Sequence, residues 1–218
     1  TVLNGMAIIG DDIEILPEKI KTKIRGLQSH GGNAEKIVTG DRAAINLSNI
    51  KPNILNRGSV ICTPSIMKPT NQIIANISVV ESTEWIIKNN QRLRFHFGTS
   101  EVLGRAMSTG TKKLEKGNNA NFILILESPV TVAMDDRFVI RSYSPMHTIA
   151  GGVVLYQNLI GKWSKMRDFT KLMPVDPKER FDYLVKFYWK TPMSIKDWKL
   201  LFYNSSKKID LWSNELSL

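Results

Sequence analysis

Hydrophobic and polar residues alternate along much of the chain before residue 158, and turn-forming residues interrupt the pattern at short intervals. The clearest alternation is Gln-Arg-Leu-Arg-Phe-His-Phe at 91–97, which predicts a strand with an apolar side and a basic side. The continuous apolar run at 122–126 predicts a buried strand. Many short strands at this spacing predict a barrel or a sandwich in residues 1–67 and a second β-rich block in residues 68–157.

Helix signals replace strand signals in residues 158–218. Residues 176–179 (Asp-Pro-Lys-Glu) offer an N-cap, a first-turn proline and a glutamate placed for a capping box. A second helix is predicted to follow Ser194, and a third lies within 207–216. Three short helices with a tight second turn are similar to the start of a helix-turn-helix or winged-helix domain.

The chain of 218 residues has 30 Lys and Arg against 20 Asp and Glu, a formal net charge of +10. This length allows one large domain or two to three small ones. The excess is spread along the chain, and it favours an anionic partner such as nucleic acid. Solubility alone is an equally simple explanation of the charge.

The motifs of common enzyme and metal sites are missing from the sequence. It has no phosphate-binding loop, no His-Glu-x-x-His and no Gly-x-Ser-x-Gly, and its histidines are far apart. A single cysteine, Cys62, provides neither a disulfide nor a cysteine zinc cluster. The acidic pairs at 11–12 and 135–136 lie where Asp commonly forms turns. We therefore expect no enzyme activity and no metal site in these residues.

No apolar run approaches the ~20 residues that a membrane-spanning helix needs, and no signal peptide is visible. We therefore expect a cytoplasmic protein that does not interact with membranes.

The most specific strings lie in residues 135–155, where two apolar runs flank a short polar turn. Arg-Ser-Tyr-Ser-Pro at 141–145 and Thr-Ile-Ala-Gly-Gly at 148–152 resemble the last hairpin of the third domain of the selenocysteine-specific elongation factor. His-Phe-Gly-Thr-Ser-Glu-Val at 96–102 is similar to a second string of that domain. One departure is Ala150, where the family commonly has Gly. The two glycines at 151–152 predict a bulge or a close backbone approach.

This resemblance implies a fold of two elongation-factor-type β-barrels followed by a small helical segment. Residues 1–67 resemble the second domain of translational GTPases, residues 68–157 the third domain, and residues 158–218 the start of a winged-helix extension. Because the chain opens on Thr1 inside this pattern, we expect a fragment. The first strand of the second domain and the GTPase domain, with its GTP and Mg, are expected to lie outside it.

Residues 40–42 (Gly-Asp-Arg) resemble a Gly-x-Arg of the family's second domain, which implies that Arg42 lies in the pocket for the aminoacyl end of the tRNA. A guanidinium is permanently cationic and suits an anionic selenolate. His30 belongs to a segment, residues 25–30, that resembles the lining of the same pocket, and it is a candidate to face the terminal adenosine. From spacing alone, both residues are better explained as surface residues beside strand ends.

The candidate tRNA-binding residues of the second barrel are Arg92, Arg94 and His96 on one strand, and Arg141 and His147 across a hairpin turn. Basic residues on a barrel rim can contact the phosphates of an RNA helix, which is recognised by shape and backbone. A solvated strand face is the alternative explanation for Arg92 and Arg94.

We therefore predict the tRNA-binding part of a factor that delivers selenocysteyl-tRNA to the ribosome in a GTP-dependent manner. An mRNA hairpin would bind to later winged-helix domains outside this chain. The alternatives are a general Tu-type factor and a winged-helix DNA-binding regulator fused to β-barrels. An enzyme with an unfamiliar site is a further alternative, and the absence of a clustered nucleophile and base makes it the weakest.

Overall fold

A computed structural model describes residues 1–143, 146–157, 159 and 162–216. Ser144 and Pro145 of the hairpin string lie outside these residues. The chain divides into two compact units, Thr1–Pro69 and Thr70–Leu218.

The first unit is built from short antiparallel strands. They are β1 (Met6–Ile8), β2 (Asp12–Leu16), β3 (Ile20–Ser29), β4 (Gly32–Ala34), β5 (Lys36–Val38), β6 (Ala43–Leu47) and β7 (Val60–Cys62). A five-stranded sheet has the order β4-β3-β2-β7, with β6 also paired to β3, while β1 and β5 form a separate ribbon. Ile37 of the ribbon belongs to the same buried cluster as Ile13, Ile15, Ile24 and Leu27 of the sheet, so one core serves both.

The second unit contains a closed six-stranded barrel, in the order β10-β11-β13-β8-β15-β14. Its strands are β8 (Thr70–Val79), β10 (Gln91–Phe97), β11 (Ser100–Ser108), β13 (Asn119–Val130), β14 (Arg137–Arg141) and β15 (Thr148–Tyr156). A small ribbon pairs β9 (Ile87–Lys88) with β12 (Lys113–Leu114). The alternation predicted in β10 is confirmed, because Leu93, Phe95 and Phe97 are buried in the barrel core. The chain is therefore mainly β, as predicted.

The paired glycines mark a close approach inside the barrel. A Cβ at Gly152 would clash with the Phe138 ring and lie 2.7 Å from the Asn76 carbonyl oxygen. The register shift between β14 and β15 falls just before the glycines, where Ile140 pairs with Ala150 and Arg141 with Thr148. The predicted close approach is thus at Gly152, and the extra residue of the bulge precedes the glycine pair.

Four α-helices follow the barrel strands in the described part of the chain: α1 (Trp163–Leu172), α2 (Pro177–Phe187), α3 (Ile195–Leu201) and α4 (Ile209–Glu215), with a 3-10 turn at Tyr203–Lys208. The Asp176 side chain caps α2 by accepting from the N–H groups of Lys178 and Glu179 at 2.9 and 3.0 Å. The capping box that the structure describes is at Ser194 and Asp197, at the start of α3.

Helix α1 was not predicted from the sequence. Its N-cap is Lys162, which makes no capping hydrogen bond, and its first turn contains no acidic residue. The usual signals of a helix start are therefore missing.

The helices pack against the outside of the barrel and form one core with it. Outward-facing Ile74, Ile123 and Leu155 lie in the same buried cluster as helical Phe181 and Trp198. The barrel wall on this side is therefore buried on both of its surfaces.

Candidate nucleic-acid interface

The uncovered side of the barrel is rich in arginine. Strands β10, β11 and β14 adjoin in the barrel, with Arg92 paired to Arg105 and Arg94 to Arg141. Their neighbours along the strands are core residues, so these side chains face outward. The outward-facing basic residues of the three strands, called here the basic face, are Arg92, Arg94, His96, Arg105, Arg137 and Arg141.

Arg92 is held by a carboxylate in a two-pronged arrangement. Its Nε and Nη2 donate to Oε1 and Oε2 of Glu127 at 2.6 and 2.8 Å. The hydrogen bond from Arg92 and the charges of Arg92 and Arg105 lower the pKa of Glu127. The carboxylate thus lies within the field of two arginines and is ionised at neutral pH.

An aromatic ring supports the same arginines from another side. The guanidinium carbons of Arg92 and Arg94 lie 5.2 and 5.8 Å from the ring centroid of Tyr143, which is exposed. Arg94 also forms an ion pair with Glu101, whose second oxygen lies 3.9 Å from Nε2 of His96. The guanidinium groups of Arg92 and Arg94 are therefore fixed in position.

Arg141 is the last residue of β14, and His147 lies in the hairpin that leads to β15. Arg141 contacts the sulfur of Met146 at 3.8 Å, and no ion pair to it is found among the described residues. The backbone of exposed His147 donates to Ser142 Oγ at 2.9 Å and accepts from the Ser142 N–H at 2.9 Å. Of the five predicted tRNA-binding residues, Arg92, Arg94, His96 and Arg141 thus share one face, with His147 in the adjoining hairpin.

The sequence did not point to Tyr143, Glu127 or Arg105. Arg105 could have been recognised from the strand pattern, since it lies between inward-facing Gly104 and Ala106. Glu127 is 35 positions from Arg92, and no local pattern connects residues at that distance.

In the first unit, the structure brings His30 and Arg42 to one cleft. The end of β3 pairs with the start of β6, Ser29 opposite Ala43, so the residues just outside this pair are neighbours. The cleft has a volume of about 420 Å³, and its lining is Gln28, Ser29, His30, Gly31, Arg42, Ala43 and Ala44.

The two candidate pocket residues have different surroundings. Nε2 of His30 lies 3.9 Å from Oδ1 of Asp41, and Oδ2 of Asp41 accepts from the Val38 N–H at 2.8 Å. The guanidinium of Arg42 has no hydrogen bond or ion pair among the residues that the structure describes. Arg42 is therefore a cation available to an anion that enters the cleft.

Among the described residues, no group of three or more His, Cys, Asp or Glu side chains could hold a metal ion. Cys62 is half-buried, and burial raises the pKa of its thiol. None of the described helices is both long and apolar enough to cross a membrane.

Comparisons with known proteins agree on one family. Residues 74–159 match the sequence profile of the β-barrel domain of the selenocysteine-specific elongation factor. The selenocysteine-specific elongation factor of Desulfomicrobium baculatum is 32% identical over 173 residues, which cover 79% of this chain and 27% of that protein. The chain thus spans about a quarter of the length of that relative.

A solved structure has the same fold. The apo crystal structure of translation elongation factor SelB from Methanococcus maripaludis superposes with a TM-score of 0.61 and 18% identity, over 72% of this chain and 38% of the other. The elongation-factor-type fold predicted from the sequence strings is confirmed.

Proposed function

The chain belongs to the selenocysteine-specific elongation factor family through its β-barrel domain, and on that premise we propose that it is the tRNA-binding part of such a factor. The parent protein would deliver selenocysteyl-tRNA to the ribosome in the cytoplasm in a GTP-dependent manner. GTP and Mg would be bound by a domain outside these residues, so this chain would not itself hydrolyse GTP. An mRNA hairpin would be bound by winged-helix domains that are also outside it.

The observation that carries this proposal is the basic face. Five arginines face outward from three adjoining strands, and the ion pairs described there involve two carboxylates, Glu101 and Glu127. A surplus of guanidinium groups on a strand surface, two of them held by carboxylates, suits the regularly spaced phosphates of an RNA helix. An A-form helix is recognised mainly by its shape and backbone, which needs no deep pocket.

The cleft of the first unit supports the second half of the proposal. Arg42 would meet the selenolate of the aminoacyl group, because a selenolate is anionic at neutral pH and the hydroxyl of a seryl group is neutral. The unpaired guanidinium loses no internal partner when it binds that anion. Asp41 lies 3.9 Å from Nε2 of His30 and disfavours an anion at that side chain, so Arg42 is the better candidate of the two for charge recognition.

The basic face is tested by fluorescence anisotropy of labelled tRNA with this chain over a series of salt concentrations. We expect Arg92→Ala and Arg141→Ala each to lower the affinity about three- to tenfold, and Arg141→Ala also to reduce the slope of log K against log salt by about 0.7–0.9. Arg167→Ala is the matched control, since Arg167 is an exposed arginine of α1 on the covered side. Equal effects of all three substitutions would contradict the proposal, and tighter binding of duplex DNA than of tRNA would favour a DNA-binding regulator.

The cleft is tested in the full-length factor with selenocysteyl-tRNA and seryl-tRNA. We expect Arg42→Ala to reduce the preference for selenocysteyl-tRNA, while Arg57→Ala, at an exposed arginine of the same unit, leaves the preference unchanged. Unchanged discrimination in the Arg42→Ala variant would remove Arg42 from the pocket.

A further inference from the structure

The guanidinium group of Arg92 is already occupied in the free protein. Glu127 reaches it from β13, across the intervening strand β11, and binds it through both carboxylate oxygens at 2.6 and 2.8 Å. The two donors, Nε and Nη2, form one of the guanidinium edges that can bind a phosphate bidentately. An RNA phosphate that approaches this edge would therefore compete with the carboxylate for the same donors.

We infer that Glu127 is a built-in competitor for the RNA backbone, which a phosphate must displace from Arg92. This inference rests on the proposed function of the basic face. Glu127 would thereby lower the affinity of the face for RNA phosphates in general. It would also set selectivity, because only a ligand that places a phosphate at Arg92 compensates for the displaced carboxylate.

The surroundings of the pair fit an exchange of partners. The side chains of Arg92 and Glu127 are 39% and 47% exposed, so the ion pair is solvated and weak enough for a phosphate to replace. The Tyr143 ring, 5.2 Å from the Arg92 guanidinium carbon, does not depend on Glu127. Arg92 would therefore stay in place on the ring while its anionic partner changes.

A ligand without a phosphate at this point would be disfavoured. Glu127 would then keep its charge beside the incoming anionic backbone, and like charges across an interface weaken binding. Arg105 is the in-register neighbour of Arg92, and its charge also acts on Glu127. One carboxylate thus moderates two of the five arginines.

The second carboxylate of the face is less suited to this role. Glu101 pairs with Arg94, and its other oxygen lies 3.9 Å from His96. Its removal would change the surroundings of two different side chains of the basic face at once, so Glu127 is the residue to test.

A double-mutant cycle separates competition at Arg92 from a general effect of charge. The variants Glu127→Gln, Arg92→Ala and the combination of both are titrated against a short A-form RNA duplex, with anisotropy as the readout. We expect Glu127→Gln to tighten binding about three- to tenfold and to steepen the salt dependence, because no carboxylate is released to take up a cation. In the Arg92→Ala background, the same substitution should tighten binding clearly less, because only the repulsion by the carboxylate and its effect on Arg105 remain to be relieved.

The matched control is Glu215→Gln on the helical side of the barrel. Glu215 is 45% exposed and forms an ion pair with Lys178, so it has the same charge and a similar exposure to Glu127. This control should leave RNA affinity unchanged within about twofold, since it lies away from the basic face.

The outcomes distinguish the inference from the function on which it rests. If Glu127→Gln tightens binding equally with and without Arg92, its effect is general electrostatics and the competitor role is wrong. If Glu127→Gln does not tighten binding at all while Arg92→Ala weakens it, the inference fails and the basic face stands. If Arg92→Ala does not weaken binding, the proposed function of the face fails first.

Discussion

The barrel has two outer faces, and their outward side chains differ in polarity, charge and exposure although both faces are built from antiparallel strands. On β8, β13 and β15, outward-facing Ile74, Ile123 and Leu155 are fully buried beneath the helices. On β10, β11 and β14, the outward positions carry the arginines of the basic face, and they remain exposed or half-buried. A strand that is covered on both sides loses its alternation of apolar and polar residues, whereas a strand with one solvated side keeps it.

The two faces also differ in what their contacts can contribute. The helices over the covered face pack aromatic rings closely. The ring centroid of Phe181 lies between 5.3 and 5.9 Å from those of Trp198, Phe202 and Trp212. Burial of such rings contributes strongly to stability. Solvated ion pairs such as that of Arg92 and Glu127 contribute little to stability but leave charged groups available for a partner. We therefore expect the covered face to contribute stability, in keeping with the proposal that the other face binds a partner.

The largest expected effect on stability comes from Phe181→Ala in α2, which tests this division between the two faces. Phe181 is completely buried in the aromatic cluster, so its removal should lower the free energy of unfolding by about 3–5 kcal/mol, measured by urea denaturation. Phe187→Ala in the same helix is the control, because Phe187 is 52% exposed and its loss should cost clearly less. Equal losses for the two variants would mean that the helices do not depend on this cluster.

Two ion-paired arginines on opposite faces sharpen the comparison. Arg180 has a fully buried side chain, pairs with Asp135 and donates to the Val175 carbonyl at 2.7 Å. Burial lowers the pKa of Arg180, and the charge of Asp135 opposes that shift. Arg180→Ala should therefore cost about 2–4 kcal/mol of unfolding free energy, since it leaves a partly buried carboxylate without its partner.

The counterpart of that variant on the exposed face is Arg92→Ala. Its ion pair with Glu127 is solvated, so we expect the urea midpoint to stay where it is in the unsubstituted protein. If Arg92→Ala destabilised the protein as much as Arg180→Ala, the basic face would be structural and the division between the faces would not hold.

The sequence predicted the exposed face better than the covered one. The alternation in Gln91–Phe97 identifies which side of β10 is basic, because each residue there reports its own environment. The apolar run of β13 indicates a buried strand but not what covers it, and α1 has no side-chain cap or acidic first turn to reveal it. The helical cover depends on contacts between distant residues, which local patterns do not encode.

The candidate sites show the same limit. His30 and Arg42 were connected only by resemblance to a family, and their shared cleft depends on the pairing of Ser29 with Ala43. Tyr143 lies in a recognised string, yet its position beside the guanidinium groups follows only from the closed barrel. Individual residues of a candidate surface can thus be proposed from sequence, whereas the side chains that contact them follow only from the fold.

The two adjacent glycines of β15 test how little space the barrel interior leaves for an added side chain. A Cβ at Gly152 would meet the Phe138 ring and the Asn76 carbonyl oxygen, so Gly152→Ala should cost about 1–3 kcal/mol in urea denaturation. A Cβ at Gly151 would lie 3.6 Å from the Phe138 carbonyl oxygen, an ordinary contact, so Gly151→Ala should cost less than about 1 kcal/mol. Equal costs would show that the close approach at Gly152 is relieved by movement of both the Phe138 ring and the Asn76 backbone.

The smallest effect concerns the aromatic ring of the exposed face. Tyr143 lies 5.2 and 5.8 Å from the guanidinium carbons of Arg92 and Arg94, and an exposed cation–π contact is worth roughly 0.5–1 kcal/mol. We expect Tyr143→Ala to lower affinity for an RNA duplex about two- to fivefold, because the arginines lose the surface that orients them. Tyr143→Phe keeps the ring and should remain within about twofold of the original affinity.

Measuring both unfolding and RNA binding for the Tyr143 variants completes the comparison with Phe181. An aromatic ring on the covered face should affect unfolding and leave RNA binding by the folded protein unchanged, whereas Tyr143 should affect RNA binding and leave unfolding nearly unchanged. If Tyr143→Phe weakened binding as much as Tyr143→Ala, the phenol hydroxyl would be the contact that matters, and orientation by the ring would be wrong. If neither variant changed binding, the ion pairs with Glu101 and Glu127 would suffice to hold the two guanidinium groups in place.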